Sequence, residues 1–318
     1  MIPANQLKEY SKKINSKKGK IHNTNYGECK KVILFTNARN EKNIKEWAAH
    51  HLLIGFSAIC IFDHKSDPPI GPQFINFDKR VKVLRVEYEN PVKLKLMNMA
   101  ATIATQNDFD WMLYLDADEF LILNSFEGVK KMLTQFSSAH SLAVNWLLFG
   151  TNNHVKEPNG LILDNYTRSQ LKPDQHVKSF VRPKEVINAT NPHFFNIYNP
   201  ARMLTITNKK MPYTPNMGYT FNPCNAEYNK FHAYIAHYIH QSEETFIKRK
   251  VLLAADDGTG AKSANPEIHN IYNDVENNDP KNKYAEKVKA FLQRFKWFIK
   301  FIMILWIKVY ILFTQLPF

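Results

Sequence analysis

The stretch KVILFTNARNEKNIKEWAAHHLLIGFSAICIFD, residues 31–63, contains two apolar runs on either side of one helical pattern. The first run, Lys31–Asn37, has the near-continuous hydrophobicity of a parallel strand that is buried on both faces. After it, apolar residues recur at the three- and four-residue spacing of an amphipathic helix, and Ser57–Asp63 predicts a second strand. The stretch therefore predicts a β-α-β unit.

The same alternation continues on the C-terminal side of this unit. Val81–Tyr88 predicts a third strand, Leu94–Gln106 a helix, and Trp111–Asp118 a fourth strand that ends in acidic residues. Four strands with helices between them predict a doubly wound α/β layer. Ligands of such layers bind at the carboxyl ends of the strands, where Asn37, Asp63 and Asp116 fall.

The rest of the chain divides by composition. Residues 141–240 hold the strand predictions SLAVNWLLF, GLILDNY and KSFVRP among polar loops, and we interpret them as the acceptor-facing half of the same domain. Glu243–Ala255 predicts a helix with Ser242 as its N-cap. The predicted organisation is a basic N-terminal extension over 1–30, one domain over 31–255, a polar linker over 256–284 and a helix over 285–318.

The last of these segments is a basic amphipathic helix that becomes almost wholly apolar. Lysine and arginine fall on one helical sector, opposite phenylalanine and isoleucine. Its apolar part, residues 297–313, is short of the roughly 20 residues that span a bilayer. We predict a membrane-associated helix that lies in the interface, with a tail-anchored span and a helix packed on its own domain or an oligomer partner as alternatives.

Charge and cysteine usage restrict the class of protein. The 318 residues carry a net charge of +13, but residues 1–31 contribute +6 and residues 281–318 contribute +7, so the body is neutral. Basic ends on a neutral body fit a membrane surface better than nucleic acid, and we expect no nucleic-acid partner. The three cysteines lack metal-ligand spacing, and residues 1–30 lack the apolar run of a secretory signal. We expect a cytoplasmic protein, peripheral or tail-anchored at a membrane.

The strongest local signal is LYLDADEF, residues 113–120. A hydrophobic strand ends in Asp116 and Asp118, and their spacing lets both carboxylates approach one divalent cation. Hard oxygen ligands suit Mg²⁺ or Mn²⁺, which can neutralise a leaving diphosphate. The alternative is an acid cluster at the start of a helix, since Asn124 and Ser125 follow shortly.

Several motifs follow in an order that resembles glycosyltransferase family 92 and its family-2-like relatives. NARNEKNIKEWAAHHLLIGFSAICIFDHKSD is similar to that family's Arg/Lys-Asn-Glu, Glu-Trp, His-before-Gly and Ser-Asp pattern. The resemblance spans residues 31–255 through these later motifs: DADEF at 116–120, NWLLFGTNNH at 145–154, KSFVRP at 178–183, PHFF at 192–195 and HYIHQSEETFIKRK at 237–250. Such an ordered series is more specific than two aspartates.

The resemblance implies a GT-A domain, a Rossmann-like mixed sheet flanked by helices, that binds a nucleotide-sugar. It implies that the loop after the first strand contacts the nucleotide and that Asp63 lies near the base and ribose. The loop residues concerned are Asn37, Arg39, Asn40 and Glu41. From the residues alone, Asn40 is also suited to cap the next helix, and Asp63 to form a turn at a strand end.

The resemblance also implies a metal site, with Mn²⁺ or Mg²⁺ holding the diphosphate of the nucleotide-sugar. His237 falls where the family has a third ligand and would join Asp116 and Asp118. Two departures from the family pattern concern other groups. The loop Gly150–His154 lacks a second glycine, and Gln241 stands where a lysine is frequent. Lys178 and Arg182 are candidates to supply that charge, and the alternative is that they are solvated residues of a strand.

The resemblance implies a metal-dependent glycosyltransferase that moves a sugar from a UDP-sugar to a glycan or other hydroxyl acceptor with inversion. The catalytic base has no assignment, because Glu157, Asp164 and Glu227 lie in no strong motif. One alternative is a haloacid-dehalogenase-like phosphatase that uses LYLDADEF with Asp256 and Asp257, although its aspartate strand would have to be the first of the sheet. Another is a catalytically inactive carbohydrate-binding relative.

Overall fold

The computed structural model describes residues 25–212, 221–223, 225–253, 255–256 and 258–294. Within these residues the chain forms a nine-stranded mixed sheet and two two-stranded sheets. The strands are β1 Val32–Ala38, β2 Ala58–His64, β3 Val81–Val86, β4 Trp111–Tyr114, β5 Glu119–Leu123, β6 Ser141–Leu148, β7 Arg168–Ser169, β8 Val177–Val181, β9 Val186–Asn191, β10 Phe194–Ile197, β11 Met203–Thr205, β12 Ala233–His237 and β13 Val275–Glu276. The α-helices are α1 Ile44–Leu53, α2 Lys93–Gln106, α3 Val129–Thr134, α4 Ile162–Asn165 and α5 Glu243–Phe246.

The first half of the main sheet is parallel, as the sequence predicts. Strands β3, β2, β1 and β4 lie side by side in this order, and neighbouring strands run in the same direction. Every residue of β1 is buried, with Leu34 in one core cluster and Phe35 in the other. A strand covered on both faces needs apolar residues at nearly every position, so the apolar run locates it.

Helices α1 and α2 belong to different layers of the fold. Trp47 from α1 is fully buried in the larger cluster, and Leu96 from α2 is fully buried in the smaller one. Because the helices alternate with parallel strands along the chain, the two clusters are the cores on the two faces of one sheet.

The second half makes the sheet mixed. Strand β8 lies antiparallel to both β4 and β6, whereas β6 runs parallel to β11 and β12. Strand β5 ends the sheet, antiparallel to β12. A mixed sheet flanked by helices confirms the predicted Rossmann-like α/β fold class.

One predicted strand is wrong. In residues 160–166 the structure has the short helix α4. The backbone N–H groups of Ile162 and Leu163 donate to the two carboxylate oxygens of Glu46, at 2.8 and 2.9 Å. This carboxylate satisfies first-turn donors that otherwise lack partners. Burial raises the pKa of Glu46 to about 8 despite these two hydrogen bonds.

The acidic motif does not start a helix. After Asp118 the chain continues into β5, which pairs with β12 so that Glu119 lies opposite His237. The sequence analysis predicts neither strand. Both have five residues and are buried along their whole length, and a short apolar run does not distinguish a buried strand from a helix segment.

The predicted cap at Ser242 is confirmed. Its Oγ accepts a hydrogen bond from the backbone N–H of Thr245 at 3.1 Å. The α-helix ends at Phe246, earlier than predicted, and a π-helical turn follows at Ile247–Val251. Such turns are frequent at functional sites, and this one carries Arg249 to the site described below.

Residues 256–284 are predicted to be a polar linker, and the described ones, 256 and 258–284, pack against the sheet domain. Strand β13 pairs with β7, and the carbonyl oxygen of Asp256 accepts a hydrogen bond from the backbone N–H of Lys93 at 3.1 Å. At Gly150 a side chain would clash with this segment, since a Cβ would lie 2.7 Å from the carbonyl oxygen of Tyr272. Polar composition suits either a linker or a segment hydrogen-bonded to the domain, so the sequence pattern leaves this packing undetermined.

The beginning of the predicted C-terminal helix also packs on the domain. A π-helical turn at Lys281–Ala285 continues as an α-helix over 286–294, in which Val288 and Phe291 are buried in the larger core cluster. Residues 295–318, and residues 1–24 of the predicted N-terminal extension, lie outside the described residues. Within the part that is described, no helix is both long enough and apolar enough to cross a membrane.

Candidate active site

A cavity of about 510 Å³ lies at the carboxyl ends of β1 and β4. This is the edge at which the sequence predicts a ligand. Six basic and four acidic side chains line the cavity: Arg39, Lys93, Lys178, Arg249, Lys250, Lys262, Glu41, Asp116, Asp118 and Asp256. Because the bases outnumber the acids, the cavity suits an anionic ligand.

Asn37 lines the cavity at the end of β1 and is held by two partners. Its side-chain nitrogen donates to Asp256 at 2.6 Å, and its side-chain oxygen accepts from the Tyr114 hydroxyl at 3.0 Å. Asp256 also lies 3.1 Å from the ring nitrogen Nδ1 of His64. Asp256, which belongs to the segment predicted to be a linker, is thus one of the acids that line the cavity.

Two lysines bind Asp116. Lys93 donates to Oδ1, and the Nζ of Lys178 lies 3.1 Å from Oδ2. Both lysines are almost fully buried. Burial, reinforced by the positive charge of Lys178, lowers the pKa of Lys93 to about 7. An anion bound here would favour the charged form of Lys93 and would itself be stabilised by that charge.

Asp118 is buried, and its carboxylate lies near three side chains that are cationic or titratable. Arg249 Nη1 lies 3.1 Å from one carboxylate oxygen, Lys250 Nζ lies 3.6 Å from the same oxygen, and His237 Nε2 lies 3.6 Å from the other. Burial acts to raise the pKa of Asp118, but Lys250 and Arg249 outweigh it and hold that pKa well below its usual range. Asp118 is therefore ionised and fixes the two bases in place.

The loop after β1 brings Arg39 and Glu41 to the cavity. Glu41 accepts a hydrogen bond from Arg249 at 2.8 Å. The Nε of Arg39 is buried and has no hydrogen-bond partner among the described residues. This loop therefore adds one donor that a bound anion can use.

Asp63 and Asn40, also predicted to bind the donor, are not among the residues that line the cavity. Asp63 accepts hydrogen bonds from the backbone N–H groups of Ser66 and Ile70 and from Arg85. Asn40 accepts one from the backbone N–H of Asp67 at 2.8 Å. In this structure both side chains stabilise the turn after β2, which for Asp63 is the alternative that its sequence position left open. Asn40 does not cap α1, because the N-cap position of that helix is Asn43.

The three predicted metal ligands share the cavity without forming a ligand set. Asp116 and Asp118 are each bound by two cationic side chains, and these would repel a divalent ion. Among the described residues, no group of three or more His, Cys, Asp or Glu side chains is placed to hold a metal. As placed, the residues do not fit Mn²⁺ or Mg²⁺, and the assignment of Asp116, Asp118 and His237 as ligands stays a prediction.

No protein-family model matches the chain. It is similar, however, to two curated proteins named as members of glycosyltransferase family 92. One, from Oryza sativa subsp. japonica, is 25% identical over 171 residues, which cover 52% of this chain and 28% of that protein. The other, from Ricinus communis, is 26% identical over 166 residues, which cover 50% of this chain and 30% of that protein. The resemblance to glycosyltransferase family 92 is confirmed. The chain spans less than a third of the length of these relatives.

Several cavity residues have no assignment in the sequence analysis. Arg249 and Lys250 lie inside HYIHQSEETFIKRK, one of the motifs that carry the family 92 resemblance, so a signal for them was present. Lys93 is the first residue of α2, and Asp256 lies in the segment predicted to be a linker. No local pattern marks Lys93, and Asp256 is named from the sequence only as part of the phosphatase alternative. The place of both residues in the cavity depends on contacts with residues from other parts of the sequence.

Proposed function

We propose that this protein is a glycosyltransferase that moves a sugar from a nucleotide-sugar to a hydroxyl group of a glycan or another acceptor. The proposed donor is a UDP-sugar, as the family resemblance implies. The observation that carries the proposal is the convergence of Lys93, Lys178 and Arg249 on the Asp-x-Asp edge of the sheet. The two relatives named for family 92 support the same class of reaction.

In the proposed reaction, the bond between the anomeric carbon and the diphosphate oxygen breaks while the acceptor oxygen bonds to that carbon. Negative charge develops on the leaving diphosphate, and donors that are fixed in advance stabilise it. Lys93 and Lys178 are buried and already oriented by Asp116. We infer that they, with Arg249, hold the diphosphate. Attack on the face opposite the leaving group would invert the anomeric centre.

The aspartates have a positioning role in this proposal. Asp116 holds the two lysines, and Asp118 holds Arg249 and Lys250. An ion pair in a partly enclosed site keeps long side chains in one geometry, which reduces the entropy lost when the donor binds. Arg39, in the loop after β1, lines the same cavity and has a buried Nε with no hydrogen-bond partner in the described part of the chain.

The experiment is a donor screen on the full chain that measures release of the nucleoside diphosphate from a panel of UDP-sugars, with and without an acceptor. Lys178→Met should lower turnover at least about 10²-fold because a major electrostatic stabiliser is removed. The matched control is Lys184→Met, since Lys184 is exposed and pairs with Asp108 away from the cavity. A wild-type chain that neither binds UDP nor releases it from any UDP-sugar would reject the proposed function, and equal rates for Lys178→Met and wild type would reject the role of Lys178.

The same screen separates the alternatives. A phosphatase that hydrolyses phosphate monoesters would release no nucleoside diphosphate from a UDP-sugar. The position of Asp116 after the fourth strand of the chain, instead of the first, also disfavours it. A catalytically inactive carbohydrate-binding relative would bind a donor or glycan and release no diphosphate. The identity of the sugar and acceptor, the cytoplasmic location and membrane binding through residues 285–318 stay predictions.

A further inference from the structure

One wall of the cavity is aromatic. Trp146 lies among three histidines that also line the cavity, with ring centroids 4.5 Å from His237, 5.0 Å from His193 and 5.3 Å from His176. The Nζ of Lys178 lies 5.8 Å from the Trp146 ring. The indole ring is therefore a common neighbour of the histidines and of a cation proposed to hold the diphosphate.

His176 is paired with a carboxylate. Its ring nitrogen Nδ1 lies 2.5 Å from Asp174 Oδ1, which also accepts a hydrogen bond from the His176 backbone N–H at 2.8 Å. The backbone N–H of Asp174 donates to the Trp146 carbonyl oxygen at 2.7 Å. The ring stacks on Trp146 and contacts Phe221 at a centroid distance of 4.6 Å. Three contacts, with Asp174, Trp146 and Phe221, thus fix the position of one imidazole ring.

This pairing determines which nitrogen of His176 can accept a proton. A carboxylate at Nδ1 favours the tautomer with hydrogen on Nδ1, which leaves the lone pair on Nε2. The hydrogen bond to His176 lowers the pKa of Asp174, which overcomes the opposing effect of burial and keeps the carboxylate ionised. Among the described residues, no hydrogen bond occupies Nε2 of His176.

The other histidines of the cavity are less suited to accept a proton. Burial and the nearby charge of Lys178 lower the pKa of His193 to about 3, so its ring is a weak base. The ring nitrogens of His237 both face carboxylates, with Nε2 3.6 Å from Asp118 and Nδ1 3.9 Å from Glu119, and its side chain is 6% exposed against 36% for His176. His237 is therefore less accessible to an acceptor hydroxyl.

The acids are unsuited for a different reason. Each acid of the cavity lining already holds a cationic, histidine or amide partner. The acids that the sequence left as options do not line the cavity: Glu157 pairs with Lys42, Asp164 pairs with Lys289, and Glu227 is exposed. A proton acceptor must come within hydrogen-bond reach of the acceptor hydroxyl, and these three do not share its cavity.

We propose that His176 Nε2 accepts the proton of the acceptor hydroxyl and that Asp174 is the positioning residue that orients it. The inference rests on the proposed function and adds the base that the sequence analysis left unassigned. As the acceptor oxygen bonds to the anomeric carbon, its O–H bond breaks and the proton moves to Nε2. The electron pair of the breaking sugar–diphosphate bond leaves with the diphosphate. Asp174 stabilises the resulting imidazolium, which then returns the proton to water.

The test compares His176→Gln and Asp174→Asn with wild type in the UDP-sugar assay, and measures the affinity for UDP by calorimetry. We expect His176→Gln to lower kcat by about 10²-fold or more and Asp174→Asn by at least about tenfold, with the UDP affinity unchanged. His232→Gln is the matched control, because His232 is exposed and contacts Ser125 outside the cavity. A wild-type kcat for His176→Gln in a variant that binds UDP would overturn the inference.

A second measurement does not depend on a folded variant. Nitrogen NMR of the His176 ring in the wild-type protein should show hydrogen on Nδ1 and a bare Nε2 when the ring is neutral, and the opposite tautomer would overturn the inference. The proposed function fails separately, if the wild-type chain neither binds UDP nor releases it from any UDP-sugar. If the wild-type chain releases UDP and both variants are fully active, the proposed function stands and only the role of His176 is rejected.

Discussion

Acidic side chains in different parts of the sheet domain find their partners in different places. In the first half, residues 32–118, Asp63 is bound within its own half by Ser66, Ile70 and Arg85. At the cavity, by contrast, Asp118 from the first half is bound by Arg249 and His237 from the second half, residues 119–294. The first half thus contributes most of the acids of the site, and the second half contributes most of the bases.

This difference shows where the function lies in the fold. A parallel layer buried on both faces can form its core from local apolar runs, and its surface charges need only short-range partners. A site for an anionic ligand needs several cations at one point, and they come from segments far apart in sequence, such as Lys93, Lys178 and Arg249. The junction of the halves is therefore the place where substitutions should affect activity most strongly relative to stability.

The largest expected effect is a loss of thermal stability when the segment that contributes Val288 and Phe291 to the core is removed. Deletion of residues 285–318 removes the buried side chains of Val288 and Phe291. Their burial stabilises the fold by about 4 kcal/mol, a large share of an ordinary domain's stability. We expect this truncation to unfold near room temperature, as measured by thermal denaturation. A Tm equal to that of the full chain would show that the second half does not need the helix.

The matched truncation sharpens that result. Deletion of residues 295–318 leaves Val288 and Phe291 in place, so we expect the domain to stay folded. The same variant tests the predicted membrane association of residues 285–318. The full chain should sediment with vesicles that contain anionic lipid, and the variant should not, because about 1 kcal/mol per basic residue is lost along with the apolar face. Equal sedimentation of both would contradict membrane binding through this segment.

A substitution at the junction should reduce activity without unfolding the first half. Arg249→Met removes the base that links Glu41 from the first loop to Asp118. We expect kcat/KM for the donor to fall about 10²- to 10³-fold, because one fixed diphosphate donor is lost and two acids are left facing the anion. Lys248→Met in the same π-helical turn is the control, since Lys248 is exposed and pairs only with its neighbour Glu244 among the described contacts. A similar loss in both variants would indicate that the turn has distorted.

The free energy of unfolding should depend on pH through Glu46, which joins α1 to α4. The pKa of Glu46 is 4.5 in the unfolded chain and about 8 in the fold. Between these values the folded protein keeps a proton that the unfolded chain releases, so stability falls as the pH rises from about 4.5 through about 8. We expect wild type to lose at least roughly 2 kcal/mol more than Glu46→Gln between pH 5 and pH 9. Denaturant unfolding at both pH values measures it, and parallel curves would contradict the shifted pKa.

The smallest expected effect is the change in UDP affinity when metal is removed. Because cationic side chains already bind Asp116 and Asp118, the affinity for UDP should change by no more than about threefold when EDTA replaces Mn²⁺. Calorimetry with UDP in both buffers checks this. If binding disappears with EDTA and returns with Mn²⁺, the three residues Asp116, Asp118 and His237 rearrange into the metal site that the sequence predicted.

The sequence located the parallel strands and both of their long helices to within a few residues. Lys31–Asn37 and Leu94–Gln106 were predicted where β1, Val32–Ala38, and α2, Lys93–Gln106, are found. The same method did not find β5 and β12, and it assigned α4 as a strand. The long elements repeat one hydrophobic period several times, whereas the short elements contain too few residues for a period to be visible.

The sequence by itself determined the α/β class, the family resemblance and the edge of the sheet at which Asp116 and Asp118 stand. Each of these depends on patterns within short stretches, which the chain carries before it folds. Only the tertiary structure decided which side chains surround those acids. Lys93, Arg249 and Asp256 meet at one cavity because strand order and the packing of residues 256–294 bring them there. Contacts between residues far apart in sequence leave no local pattern, so the composition of the cavity became visible only in the fold. Asp174 and His176 are two positions apart, but the place of His176 beside Trp146 in the cavity is also decided by the fold.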